Sequence, residues 1–135
     1  MTRSRILELF ADHGILPTTQ RIEVAEVILE KPQHLSAEQI IDALKARGSR
    51  VSKATVYNSL NLFGERGLVR EITVDPVRKF YDSTTAPHHH FYNADTRELS
   101  DIADEDVRFL ELPELPEGTE RESIEVLITV RNARS

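Results

Sequence analysis

The chain has 135 residues, no cysteine, 39% hydrophobic side chains and a formal charge of -6. That length suits one domain or two small ones with a modest core, and the missing thiols exclude disulfides, thiolate zinc sites, iron–sulfur clusters and cysteine nucleophiles. No apolar run approaches bilayer-spanning length, and no long apolar stretch follows Met1-Thr2-Arg3-Ser4-Arg5, so a soluble, cytoplasmic protein with no membrane partner is expected.

The charge is unevenly spread. Through Ser83 there are 12 Lys+Arg against 11 Asp+Glu, a net of +1; from Thr84 onward there are 5 against 12, a net of -7, and the two make the -6 of the whole. The acidic excess belongs to the second half. A near-neutral first half can still meet phosphates if its basic side chains gather on one face.

In chain order, Arg5 to His13 carries Ile6, Leu7, Leu9 and Phe10 at helical spacing, with Gly14 placed as a stop. Thr18 or Thr19 caps a second helix whose buried stripe is Ile22, Ala25, Ile28 and Leu29, ending at Lys31-Pro32. Ser36-Ala37-Glu38-Gln39 has capping-box spacing and opens a third helix, with Ile40, Ile41 and Leu44 inward and Gly48 at its end. Ser52 opens a fourth, in which Val56, Leu60 and Phe63 form the core stripe.

The opposite face of that fourth helix holds Ala54, Tyr57, Asn58 and Asn61. A purely solvated face normally carries Glu and Lys. Tyrosine and asparagines suit a DNA major groove, where Asn pairs with adenine and apolar surface meets thymine methyls. An ordinary amphipathic helix is the competing reading. After Gly67, Leu68 to Val74 and Val77 to Tyr81 read as two strands around an Asp75-Pro76 turn. Three helices, a recognition-like helix and a basic hairpin make a winged helix-turn-helix, with Arg70, Arg78 or Lys79 on the wing placed to reach the DNA backbone.

Next come His88, His89 and His90, six to eight residues after Asp82. Neutral imidazoles are common metal donors, and a nearby carboxylate completes a hard and borderline set. A solvated histidine-rich loop is the competing reading of this stretch alone. Phe91-Tyr92 and Arg97 to Ser100 read as a second hairpin turning at Asn93-Ala94-Asp95-Thr96. Asp104 to Leu112 reads as a short helix with Val107 and Leu110 inward, and Pro113 to Gly118 as a loop. Glu122 to Arg131 alternates, with Ile124, Val126, Ile128 and Val130 on one face, as in a half-buried strand. A core this small with a long apolar strand predicts a homodimer through that C-terminal strand.

Ala54-Thr55-Val56-Tyr57-Asn58-Ser59-Leu60-Asn61, together with Thr18-Thr19-Gln20-Arg21, His34-Leu35-Ser36-Ala37-Glu38 and the Asp82 to His90 stretch, resembles the ferric uptake regulator family of metal-dependent transcription factors. Tyr followed by Asn is closer to the family's peroxide and iron response regulators. The triple histidine, Glu98-Leu99-Ser100-Asp101-Ile102 and Leu115-Pro116-Glu117-Gly118 are most similar to the iron response regulators. The resemblance implies a sensory metal site at His34, Asp82, His88, His90 and Asp101, and a DNA-binding set of Arg21, Ser52, Lys53, Thr55, Tyr57, Asn58, Asn61 and Lys79. Three imidazoles and two carboxylates suit Fe(II), Mn(II) or Zn(II). Many relatives also hold a structural zinc with paired cysteines. Here Asn93 and Thr96 take the place of the first pair, so a four-cysteine zinc site cannot form. The cysteine-proline heme motif of some iron response regulators is absent as well, which leaves the histidines, His89 above all, as candidate heme ligands.

The expected architecture is therefore α+β: a winged-helix DNA-binding domain over residues 1–83 and a small α/β dimerisation and metal-sensing domain over 84–135. The expected function is a metal-responsive dimeric repressor acting on AT-rich double-stranded operator DNA, in iron or metal homeostasis or the peroxide response. The competing class is a small non-heme metalloenzyme using His88, His90 and Asp82 with an open coordination position. No nucleophile or acid–base pair accompanies those ligands, so no catalytic residue is assigned.

Overall fold

Each of the four helices in the first 65 residues begins on a hydroxyl. In the computed structural model, which describes residues 1–134, Thr2 caps α1 (Arg3–Asp12), Thr18 caps α2 (Thr19–Ile28), Ser36 caps α3 (Ala37–Ala46) and Ser52 caps α4 (Lys53–Glu65). In every case the side-chain oxygen accepts the backbone N–H of the third helical residue, a bond worth about 1 kcal/mol per cap. At α3 the box closes reciprocally, because Ser36 N–H donates to Gln39 Oε1 at 2.9 Å. The far end of α4 is stopped at Gly67, whose φ of +77° suits a residue without Cβ, and Leu68 N–H returns to the Phe63 carbonyl at 2.9 Å.

The chain divides into two compact units, Met1–Thr85 and Ala86–Ser135. In the first, the expected stripes face a common core. Ile6 and Phe10 of α1, Ala25 and Ile28 of α2, Ile40 and Leu44 of α3, and Val56, Leu60 and Phe63 of α4 are all buried. The Phe10 and Phe63 rings meet tilted with centroids 5.5 Å apart, and truncating either to alanine would cost about 3–5 kcal/mol. Val24 and Val27 are buried too, so α2 is enclosed on more of its circumference than the Ile22–Ala25–Ile28–Leu29 stripe required.

Three strands complete this unit: β1 (His34–Ser36), β2 (Arg70–Asp75) and β3 (Arg78–Asp82), antiparallel in the order β1-β3-β2. The wing hairpin matches expectation, although β2 starts at Arg70, with Leu68 and Val69 buried ahead of it. Its turn is held by Asp75, whose Oδ1 accepts the N–H groups of Val77 and Arg78, both at 2.9 Å. β1 was not expected.

The second unit is a three-stranded sheet in the order β5-β4-β6, from β4 (His89–Asn93), β5 (Leu99–Ile102) and β6 (Leu127–Val130). β4 and β5 form the expected hairpin, while β6 runs parallel to β4 with Phe91 opposite Ile128. Tyr92, Leu99 and Ile102 are buried against this sheet. Two expectations are corrected. The helix proposed for Asp104 to Leu112 is one 3-10 turn at Asp104–Asp106, and Leu110, assigned inward, is fully exposed. Val107 is only half-buried, and Phe109 and Leu110 stay largely exposed, so a helical stripe gains little there. The last strand covers only Leu127–Val130.

The 93–96 turn and the end of the chain are clasped together. Asn93 Oδ1 accepts Asp95 N–H at 2.9 Å and Thr96 N–H at 3.0 Å, while Asn93 Nδ2 donates to Asn132 Oδ1 at 2.9 Å. Asp95 takes Asn132 N–H at 2.9 Å and pairs with Arg131 at 3.2 Å. Ala94 N–H donates to the Val130 carbonyl at 2.9 Å, which ties β6 to the turn.

Candidate functional site

Strand geometry sorts the three histidines. Side chains alternate along extended chain, so His90 of β4 and His88 just ahead of it share one face while His89 takes the other. On the first face the hairpin register sets His90 opposite Asp101. His90 Nε2 lies 3.3 Å and His88 Nε2 3.0 Å from the same oxygen, Asp101 Oδ1. The two imidazole centroids are 4.2 Å apart, tilted by 49°. His90 is buried, His88 half-buried and Asp101 exposed, a graded set that opens outward.

The tautomer of His88 follows from its other nitrogen. Nδ1 lies 2.8 Å from the Ala86 carbonyl, which can only accept, so Nδ1 carries a proton and donates it there. A neutral ring then aims the Nε2 lone pair at a carboxylate oxygen. Two acceptors facing each other at 3.0 Å need a cation between them, either a proton or a metal ion. The chosen donor atoms of His88, His90 and Asp101 lie within 4.8 Å of one another, a spread that ligands about 2.0–2.2 Å from a shared ion span with small side-chain adjustment. The nitrogen and oxygen donors fit Fe(II), Mn(II) or Zn(II).

His89 has a different occupation. It is buried, its Nδ1 accepts Val126 N–H at 2.8 Å, and its ring meets Phe109 edge-on with centroids 6.2 Å apart. It braces the start of β6.

The other two expected ligands belong to the first unit, where β1 and β3 place them directly opposite each other as the His34–Asp82 pair. Asp82 is buried, and its Oδ1 accepts Thr84 N–H at 2.8 Å, which orients the carboxylate. Each unit thus carries its own cross-strand His–Asp pair. Only the family resemblance had put the first of these together; spacing and composition offered no signal, since its members lie 48 positions apart and meet through the unexpected β1.

The expected DNA-facing residues fall into two groups. Tyr57, Asn58 and Asn61 are exposed along α4, opposite the buried Val56, Leu60 and Phe63, and Lys53 is exposed in its first turn. Ser52 and Thr55 are partly spent on the fold: Ser52 caps α4 and its hydroxyl donates to Thr55 Oγ1 at 3.0 Å. Arg21 reaches the Leu16 carbonyl at 2.7 Å. On the wing, Lys79 pairs with Glu71 at 3.7 Å and Arg78 with Asp75 at 4.0 Å, exposed or half-exposed contacts that cost little to exchange for a phosphate. Among the described residues, no helix is long and apolar enough to cross a membrane.

A winged helix followed by a small sheet with clustered His and Asp donors is the plan of a two-domain winged-helix regulator. A sequence profile of the ferric uptake regulator family matches residues 12–128, and the chain belongs to that family. It is 36% identical over 84 residues to the peroxide operon regulator of Bacillus subtilis, covering 62% of this chain and 58% of that protein. It is 33% identical over 97 residues to the ferric uptake regulation protein of Vibrio anguillarum, covering 70% and 64%. These matches thus span between half and two thirds of the length of each relative. The manganese-bound ferric uptake regulator of Pseudomonas aeruginosa superposes with a TM-score of 0.72 at 25% identity, covering 99% of this chain and 100% of that one.

Proposed function

We propose that this chain is a metal-responsive, dimeric DNA-binding repressor that acts in the cytoplasm on iron or metal homeostasis or on the peroxide response. The observation that carries the reading is the pair of cross-strand His–Asp partners, His34 with Asp82 and His90 with Asp101, one in each unit of a ferric uptake regulator family member. We assign residues 1–83 to DNA binding and 84–135 to dimerisation and sensing, with His34, Asp82, His88, His90 and Asp101 as the metal ligands.

The protein's own residues do the rest. Ala86 fixes the tautomer of His88, and Thr84 orients Asp82. Tyr57, Asn58 and Asn61 are exposed together on α4, a face suited to adenine edges and thymine methyls and hence to AT-rich operators. Lys53, Arg21 and Lys79, with Ser52 and Thr55, supply backbone contacts. Dimerisation through the last strand is supported by β6, which has one strand neighbour among the described residues and exposes Leu127 and Ile128. Family membership favours this regulator over a small metalloenzyme.

The test is anaerobic titration with Fe(II), Mn(II), Zn(II) and heme, each followed by a binding assay on AT-rich promoter DNA. A metal-dependent change in affinity is expected. Affinity unmoved by every one of them would sink the reading. The heme arm tests His89 directly, whose burial and bond to Val126 favour a structural post.

A further inference from the structure

β1 is three residues long, so few ladder bonds keep His34 opposite Asp82. The flanking residues on each strand extend the pairing. Ser83 N–H donates to the Gln33 carbonyl at 3.0 Å, and Gln33 N–H donates back to Ser83 Oγ at 3.1 Å. The serine hydroxyl has the carbonyls of Lys31 and Gln33 at 3.2 Å and 3.3 Å as acceptors for its one proton. The Gln33 side chain reaches the other way. Its Nε2 donates to the carbonyls of Val27 and Ile28 at 2.9 Å and 3.3 Å, acceptors in the last turn of α2, where the Val27 carbonyl has only a long backbone bond from Glu30 N–H at 3.5 Å.

One glutamine therefore ties the end of α2 to the residue before His34, and one serine ties that glutamine to the residue after Asp82. We infer that Gln33 and Ser83 are positioning residues that hold His34 opposite Asp82 across β1 and β3 and thereby set metal affinity. The inference rests on the proposed ligand set. Its physical content is preorganisation: without the latch a three-residue strand frays, and ordering it is charged against metal binding. Outer-shell partners of this kind typically contribute 10- to 100-fold in affinity.

The test uses the full-length protein and Co(II) as the probe, titrated anaerobically and followed by its d–d absorption, beside urea unfolding of the metal-free protein. Ser83→Ala and Gln33→Ala are each expected to weaken Co(II) binding about 10- to 100-fold and to alter the d–d band. Ser83→Thr, which keeps the hydroxyl, is expected to restore both. Gln33→Ala removes only two bonds at a helix end, so it carries the test if Ser83→Ala does not fold. Parent-like Co(II) affinity in Gln33→Ala and in any folded Ser83→Ala, with His34→Ala and Asp82→Ala binding weakly, would overturn the latch while leaving the ligand set standing. Parent-like affinity in His34→Ala and Asp82→Ala would instead remove the ligand set, and the latch with it.

Discussion

The backbone N–H of Val126 donates to Nδ1 of His89 at 2.8 Å, across 37 positions of sequence. The middle histidine thus serves the sheet, while its neighbours His88 and His90 gather at Asp101. His89→Ala should destabilise the second unit by about 1–3 kcal/mol, the cost of leaving a part-buried N–H unsatisfied, with divalent metal affinity near that of the parent. His90→Ala should do the reverse and abolish metal control of DNA binding. Urea unfolding beside metal titration reads both. A His89→Ala protein of parental stability that has lost its metal response would contradict this division of labour.

Tyr57 is 43% exposed on the face of α4 that carries Asn58 and Asn61, so its removal should spare the fold. Tyr57→Ala should lower operator affinity by about 1–3 kcal/mol and leave the salt-sensitive background intact, because base contacts specify and phosphate contacts position. Fluorescence anisotropy on operator and scrambled DNA at two salt concentrations measures the difference. Equal discrimination by parent and variant would remove α4 from base readout.

Ile128 is 40% exposed on β6, so a charge there costs an isolated chain little and a buried sheet interface a great deal. Ile128→Asp should sediment as a folded monomer and lose affinity for a two-half-site operator. A variant that remains a dimer would place the interface elsewhere.

Tyr81 is buried in the first unit, and its phenol is raised above the ordinary value of about 10 by burial first, then by the charge of Glu71 and by Tyr57. A raised folded value means that the native state holds the proton more tightly. The stability this contributes is fully present below the unfolded value and is lost as pH rises through the folded one. Urea midpoints should therefore fall above about pH 10, and Tyr81→Phe should flatten that fall. An unchanged alkaline slope in the variant would show that Tyr81 is not responsible.

The helices were legible because their signals are local. A hydroxyl cap, a stripe at 3.6-residue spacing and a glycine stop all lie within one segment, and α3 carries a complete capping box. β1 was not legible for the opposite reason: His34-Leu35-Ser36 is too short to alternate, runs straight into the α3 cap, and becomes a strand only by pairing with Tyr81 and its neighbours. The supposed helix after Asp104 had the right spacing of Val107 and Leu110, but periodicity cannot report whether a surface exists to receive the stripe. At the candidate site, the histidine run with Asp82 stood out by composition, and period-two alternation separated His89 from His88 and His90. Asp101 came into view only through family resemblance, because its part depends on the β4–β5 register.

The clasp of Asn93, Asp95, Arg131 and Asn132 is made of hydrogen bonds and one ion pair. Oxidants that attack thiols find none in this chain, and a chelator has no thiolate-held zinc to remove from the second sheet. The second sheet therefore rests on strand pairing and on this clasp, with no thiolate-held ion among its supports.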